Sequence, residues 1–164
     1  MIKNVSDPSI ANILSTDTAN VYRIPRYQRE YTWNMRDWNN LYEDVFSNDP
    51  GYFLGSFIVI QGAQDPKTGI MEYEVIDGQQ RITTISLLLA AIYARLMQHK
   101  EVFDLDMMTD HIAPLRNRLV LKQDKGMTRV VPQVQNHNLD DFRYIMKEVA
   151  DLKVVMGKPK YHGV

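Results

Sequence analysis

Val75-Ile76-Asp77-Gly78-Gln79-Gln80-Arg81-Ile82-Thr83-Thr84 reads as a strand that runs through a tight polar turn into a long apolar helix. Upstream, Met71, Tyr73 and Val75 alternate with Glu72 and Glu74, the period of a strand. Downstream, Ile82, Ile85, Leu88, Leu89, Ile92 and Leu96 recur at helical spacing. The junction gathers an acid, a glycine, two amides and an arginine. Backbone N–H groups exposed at a helix start, with a cation beside them, form a natural anion site. The expectation is that this junction holds a phosphate, most simply that of a nucleotide.

Working outward, the helix is expected over residues 78–98. It is apolar on most sides and therefore largely buried. Residues 70–76 and 52–60 are expected to pair as a hairpin across the loop at 65–69, with Gly55 marking a bulge or a close approach. Residues 21–24 form a strand stopped by Pro25, which cannot donate to a ladder. After it, Pro25-Arg26-Tyr27-Gln28-Arg29-Glu30-Tyr31-Thr32-Trp33 mixes arginines with aromatics without a period, as a loop does. Asn34 caps a helix in which Trp38, Leu41, Tyr42, Val45 and Phe46 form one apolar face. Ile10, Ile13 and Leu14 hint at a short packing helix. Residues 101–111 read as an acidic, broken connector. Two strands are expected over 118–122 and 128–134, then a helix capped by Asn138 with Phe142, Ile145, Met146 and Val149 on one face. Residues 158–164 are tail-like. The sum is one α+β domain over residues 1–164.

Bulk composition sets limits. A chain of 164 residues can bury a real core. It is 45% hydrophobic and 24% charged, as soluble domains are. The absence of cysteine removes disulfides and thiolate metal sites and fits a reducing, cytoplasmic setting. A net charge of −1 gives no overall attraction to DNA. The longest apolar run is too short to span a bilayer and is broken by Arg95, so no membrane partner is expected.

Each residue of the junction has two readings. Asp77 and Gln80 have the spacing of a capping box, worth about 1 kcal/mol without any ligand. Alternatively, Asp77 holds magnesium or orients a water, since magnesium takes one or two carboxylates plus phosphate oxygens. Gly78 weakens a helix and makes sense where a ligand or another backbone comes close. Gln79 and Gln80 are either solvated or placed to orient an attacking water. Arg81 opposes the helix dipole in the first turn, and a bound anion would reverse that penalty; the competing reading is a salt bridge to Glu72 or Glu74. Arg26 and Arg29 offer planar forks for phosphate, while Tyr27, Tyr31 and Trp33 stack or anchor the loop. Asp104, Asp106, Asp110 and His111 match no metal-loop spacing. His137, Asp140 and Asp141 suit a helix start, His99 and His162 the surface, and the nine methionines the core.

Three stretches, Ile24 through Trp33, Tyr52-Phe53-Leu54-Gly55-Ser56, and Val75 through Arg81, resemble in order and spacing the amino-terminal domain of GmrSD-type restriction systems. That family is related to the ParB/sulfiredoxin fold, a small mixed sheet packed against helices. The resemblance covers most of residues 21–97. It implies nucleotide binding and hydrolysis coupled to DNA cleavage in defence against foreign DNA, with an HNH-type nuclease in a further domain or partner chain. The chain is shorter than most members, so a fragment of a longer chain is one reading. Carried onto this sequence, the catalytic set is Asp77, Gln79 and Gln80. The phosphate set is Gly78, Arg81, Thr83, Arg26, Gln28 and Arg29, and Asp77 carries Mg2+. The nucleotide is GTP, ATP or CTP, and DNA is met weakly or indirectly. A ParB-like DNA-binding module without turnover, and direct phosphodiester cleavage at the same junction, are the other readings.

Overall fold

A computed structural model of the chain describes residue 6, residues 8–134 and residues 137–151; the expected tail at 158–164 and His162 lie outside them. Four strands, β1 (Asn20–Arg23), β2 (Ile58–Gln64), β3 (Met71–Asp77) and β4 (Val130–Val131), form one mixed sheet in the order β2-β3-β1-β4. β2 and β3 are the expected antiparallel hairpin, while β3–β1 and β1–β4 are parallel. The helices are α1 (Ile10–Ile13), α2 (Met35–Phe46), α3 (Gln79–Met97), α4 (Leu105–Met107), α5 (Ala113–Leu119) and α6 (Asn138–Ala150). The result is the expected α+β architecture.

Side-chain alternation along β1 splits the interior in two, because successive residues of a strand face opposite ways. Tyr22 and Ile24 join Val75 of β3, Ile82 and Ile85 of α3, and Phe142 and Met146 of α6 in the main core. Val21 faces the other side with Ile70, Leu121 and Val131. The Tyr22 ring stacks on Tyr73 at 5.4 Å, and its hydroxyl donates to the Ile13 carbonyl at 3.0 Å, which docks α1. α3 is buried over its first two turns, whereas beyond Ser86 only Ala90 is buried and Ile92 is exposed, so the helix is less buried than its apolar period predicts.

Several sequence expectations are corrected. The strand expected at 52–60 begins only at Ile58, because Gly55 adopts φ +105 and turns the chain over the start of α3. Residues 105–119 are helical rather than a broken connector or a strand: Asp104 caps α4 by accepting from Met107 N, and a π turn at Met108–Ile112 joins α4 to α5. The π turn has a cause in Pro114, which has no N–H to close the bond to residue 110. The expected strand at 118–122 shrinks to a bridge between Val120 and Thr128. Asn138 is the first residue of α6, and its cap position falls on His137 at φ 68. The capping box at Asn34 is present, closed by Asp37. The apolar face of α2 is not in the core: Leu41 alone is buried, and Tyr42 and Phe46 are more than half exposed.

The far edge of the sheet hangs on a buried cation. Arg129 is 1% exposed. Its Nε donates to the Asn117 carbonyl at 2.7 Å and its Nη1 to the carbonyls of Thr18 at 2.8 Å and Asn20 at 3.4 Å. These bonds tie the chain before β1 and the end of α5 to the β4 segment. Burial holds the guanidinium pKa below its ordinary value. Replacing Arg129 with Leu leaves those carbonyls without a donor, each costing about 1–3 kcal/mol. Urea denaturation of Arg129→Leu is therefore expected to show a loss of at least about 2 kcal/mol; an unchanged midpoint would contradict this role.

Candidate functional site

The strand-to-helix junction is built around Gly78. It occupies the cap position of α3 at φ 85, a conformation open to glycine, and has no side-chain cap. A Cβ at this position would lie 2.9 Å from the Phe57 ring and 3.0 Å from the Ser56 carbonyl. The close backbone approach expected of this glycine is thus that of the 52–57 loop. Asp77 is not the cap, which corrects the capping-box reading. It is exposed, and its carboxylate has no hydrogen bond or ion pair among the described residues.

Gln80 does not reach back to the turn either. It is 6% exposed and spends its amide on the arginine–aromatic loop. Its Oε1 accepts from Thr32 N at 2.9 Å and Trp33 N at 3.3 Å, and its Nε2 donates to the Glu30 carbonyl at 2.9 Å. Tyr31 adds a second tie, its hydroxyl lying 2.7 Å from Thr84 Oγ1 and accepting from Trp38 Nε1 at 2.6 Å. Gln28 Nε2 donates to the Ile76 carbonyl at 2.9 Å. The loop is therefore sewn along the end of β3 and the first turns of α3. Burial pushes the Tyr31 hydroxyl pKa up.

Arg81 does not pair with Glu72 or Glu74. Glu72 is taken by Arg23 at 2.6 Å and Glu74 by the Tyr27 hydroxyl. That hydroxyl is exposed, and its bond to Glu74 raises its pKa. Arg81 Nη1 instead donates to the Ser56 carbonyl at 3.0 Å. Gly55 leaves room for this contact, since a Cβ there would meet the guanidinium at 2.5 Å. A guanidinium carries five N–H donors, so most of its capacity remains.

These contacts frame an open hollow of about 480 Å³ lined by Gln28, Arg29, Trp33 and residues 76–81. Its size falls in the range of about 300–1,000 Å³ typical of small-molecule sites. The first intrahelical bond of α3 is Ile82 N to the Gly78 carbonyl. The backbone amides of Gln79, Gln80 and Arg81 have no acceptor among the described residues, and no acid lies in the first turn. Arg29 is exposed and its side chain has no partner among the described residues. Gln79 is 8% exposed, and its amide likewise makes no hydrogen bond among them. An uncapped, positively polarised helix end thus meets two arginines and a free amide.

Of the residues singled out from sequence, Asp77, Gly78, Gln79, Gln80, Arg81, Gln28 and Arg29 line the hollow. Arg26 is exposed outside it, and Thr83 is buried behind it against a small crevice. Trp33, singled out only as a member of the aromatic loop, is on the wall. Among the described residues no three His, Cys, Asp or Glu side chains gather as a metal cluster, and no helix is long and apolar enough to cross a membrane. The single carboxylate of Asp77 fits magnesium only in company with phosphate oxygens, which is the habit of that ion.

The family model of the GmrSD restriction endonuclease N-terminal domain matches residues 10–160. No curated protein matches the chain.

The two glutamines should separate in stability. Gln80→Leu strands the N–H groups of Thr32 and Trp33 and the Glu30 carbonyl, and a loss of about 2–3 kcal/mol is expected in urea denaturation. Gln79→Ala is expected to stay within about 0.5–1 kcal/mol of wild type. Equal losses for the two would contradict this division of labour.

Proposed function

Since the chain belongs to the GmrSD restriction endonuclease N-terminal domain family, we propose that the junction binds a nucleoside triphosphate and hydrolyses it. In this reading hydrolysis is coupled to DNA cleavage by a separate HNH-type nuclease domain or partner. The observation that carries it is the set of unpaired amides at Gln79, Gln80 and Arg81, opening into a hollow that also holds Arg29 and Arg81. The kinship with ParB-like folds and a cytoplasmic setting belong to the same reading.

In this reading each residue of the hollow has a role. The α3 amides and the Arg81 guanidinium take the phosphate oxygens, as donors fixed in place before the charge develops. Arg29 closes from the loop side with its fork. Trp33, half-buried on the wall, gives a flat face for the base. Gln79 orients the attacking water through its unspent amide, in the way a glutamine serves some GTPases. Gln80 and Gln28 position the loop that carries Arg29. Asp77 would hold a magnesium ion, which supplies neutralisation of phosphate charge when bound. DNA is met by the partner nuclease and only weakly by this chain, whose net charge is −1.

Titration calorimetry with GTP, ATP and CTP in magnesium tests the binding, and phosphate release tests turnover. At least one nucleotide is expected to bind. Arg29→Ala has no structural partner to lose, so it is expected to weaken binding about tenfold or more without changing the melting temperature. No binding of any of the three would remove the proposal.

A further inference from the structure

Behind the hollow lies a second space. It is a crevice of about 10 Å³ lined by Arg29, Gln79, Gln80 and Thr83 on one side and by the segment after β4 and Asn138 of α6 on the other. Gln79 borders both spaces. Polar residues border the crevice beside Ile24 and Pro132: Gln79, Thr83 and Gln133 are each less than a tenth exposed. Asn138 Nδ2 is buried with no hydrogen-bond partner among the described residues. The Gln79 amide, also without a partner there, stands against the same crevice.

We propose that the crevice is a binding site for one structural water, which bridges Asn138 Nδ2 to the Gln79 amide and thereby makes Asn138 a positioning residue. A polar cavity needs roughly 10–15 Å³ and two to four polar partners to hold one water. The volume is near that threshold, and Asn138, Gln79 and the Thr83 hydroxyl supply the partners. A buried amide nitrogen left without a partner carries a desolvation cost, and a water that bridges Asn138 Nδ2 to the Gln79 amide satisfies it. The bridge also limits the orientations of the Gln79 amide. The amide that faces the hollow is thereby fixed from α6, about sixty residues further along the chain.

Crystallography decides the water, independently of any nucleotide. A high-resolution crystal structure of the chain is expected to show a water peak within about 2.7–3.2 Å of Asn138 Nδ2 and of a Gln79 amide atom. In Asn138→Leu, whose side chain fills the crevice, the peak is expected to vanish and Gln79 to spread over more than one rotamer. A dry crevice in the wild type, or one fixed Gln79 rotamer in both proteins, would overturn the inference. The kinetic arm alone rests on the hydrolysis reading. With the nucleotide that the wild type turns over, Asn138→Leu is expected to lower kcat about tenfold with KM within about twofold, and Asn138→Ser, which keeps a donor, to recover much of the loss. An unchanged kcat in a variant with the wild-type melting temperature would remove the positioning role. A wild type that turns over nothing would count against the proposed function and leave the crystallographic arm to decide the water.

Discussion

The structure depends on one unusual arrangement: a long helix, buried over its first two turns, begins with no cap, and its first side chains reach outward to hold other parts of the chain. Gln80 binds three backbone groups of the 30–33 stretch. Arg81 binds the Ser56 carbonyl. Helix starts ordinarily use nearby side chains to satisfy their own amides. Here those side chains serve the loops, and the amides of residues 79–81 are left facing a hollow. The loops in turn become the walls of that hollow, so the same contacts that stabilise the junction also shape the site.

This arrangement accounts for both glycines at the junction. Gly78 admits the left-handed turn and the Ser56 backbone, and Gly55 admits the Arg81 guanidinium. It also explains why Arg81 tolerates the unfavourable end of the dipole. The Ser56 carbonyl offsets part of that cost, and the acids that could have neutralised Arg81 are held by Arg23 and Tyr27. A guanidinium engaged by one carbonyl keeps both its charge and most of its donors for an anion.

Much of this was legible in the sequence where period and local chemistry decide. The alternation before Asp77 and the helical spacing after Arg81 placed β3 and α3 within a residue or two. Asn34 marked the start of α2 by a purely local rule, and Asp37 closes the capping box there. What was not legible depends on partners far along the chain. Gln80 has capping-box spacing from Asp77, and only its bonds to residues some 50 positions away remove it from that role. The face of α2 has the pattern of a buried helix, yet no element packs over Tyr42 and Phe46 among the described residues. Residues 105–119 lack a clean period because a π turn shifts the phase midway. The crevice at Asn138 has no local signature, since it is closed by residues from three separate segments.

The central claim is that the uncapped start of α3 receives phosphate. A crystal structure with a non-hydrolysable GTP analogue and magnesium tests it most directly. The account predicts phosphate oxygens within about 3 Å of the amide nitrogens of Gln79, Gln80 or Arg81, with the Arg29 and Arg81 guanidinium groups turned toward them. An analogue bound elsewhere, with those amides still facing solvent, would contradict it.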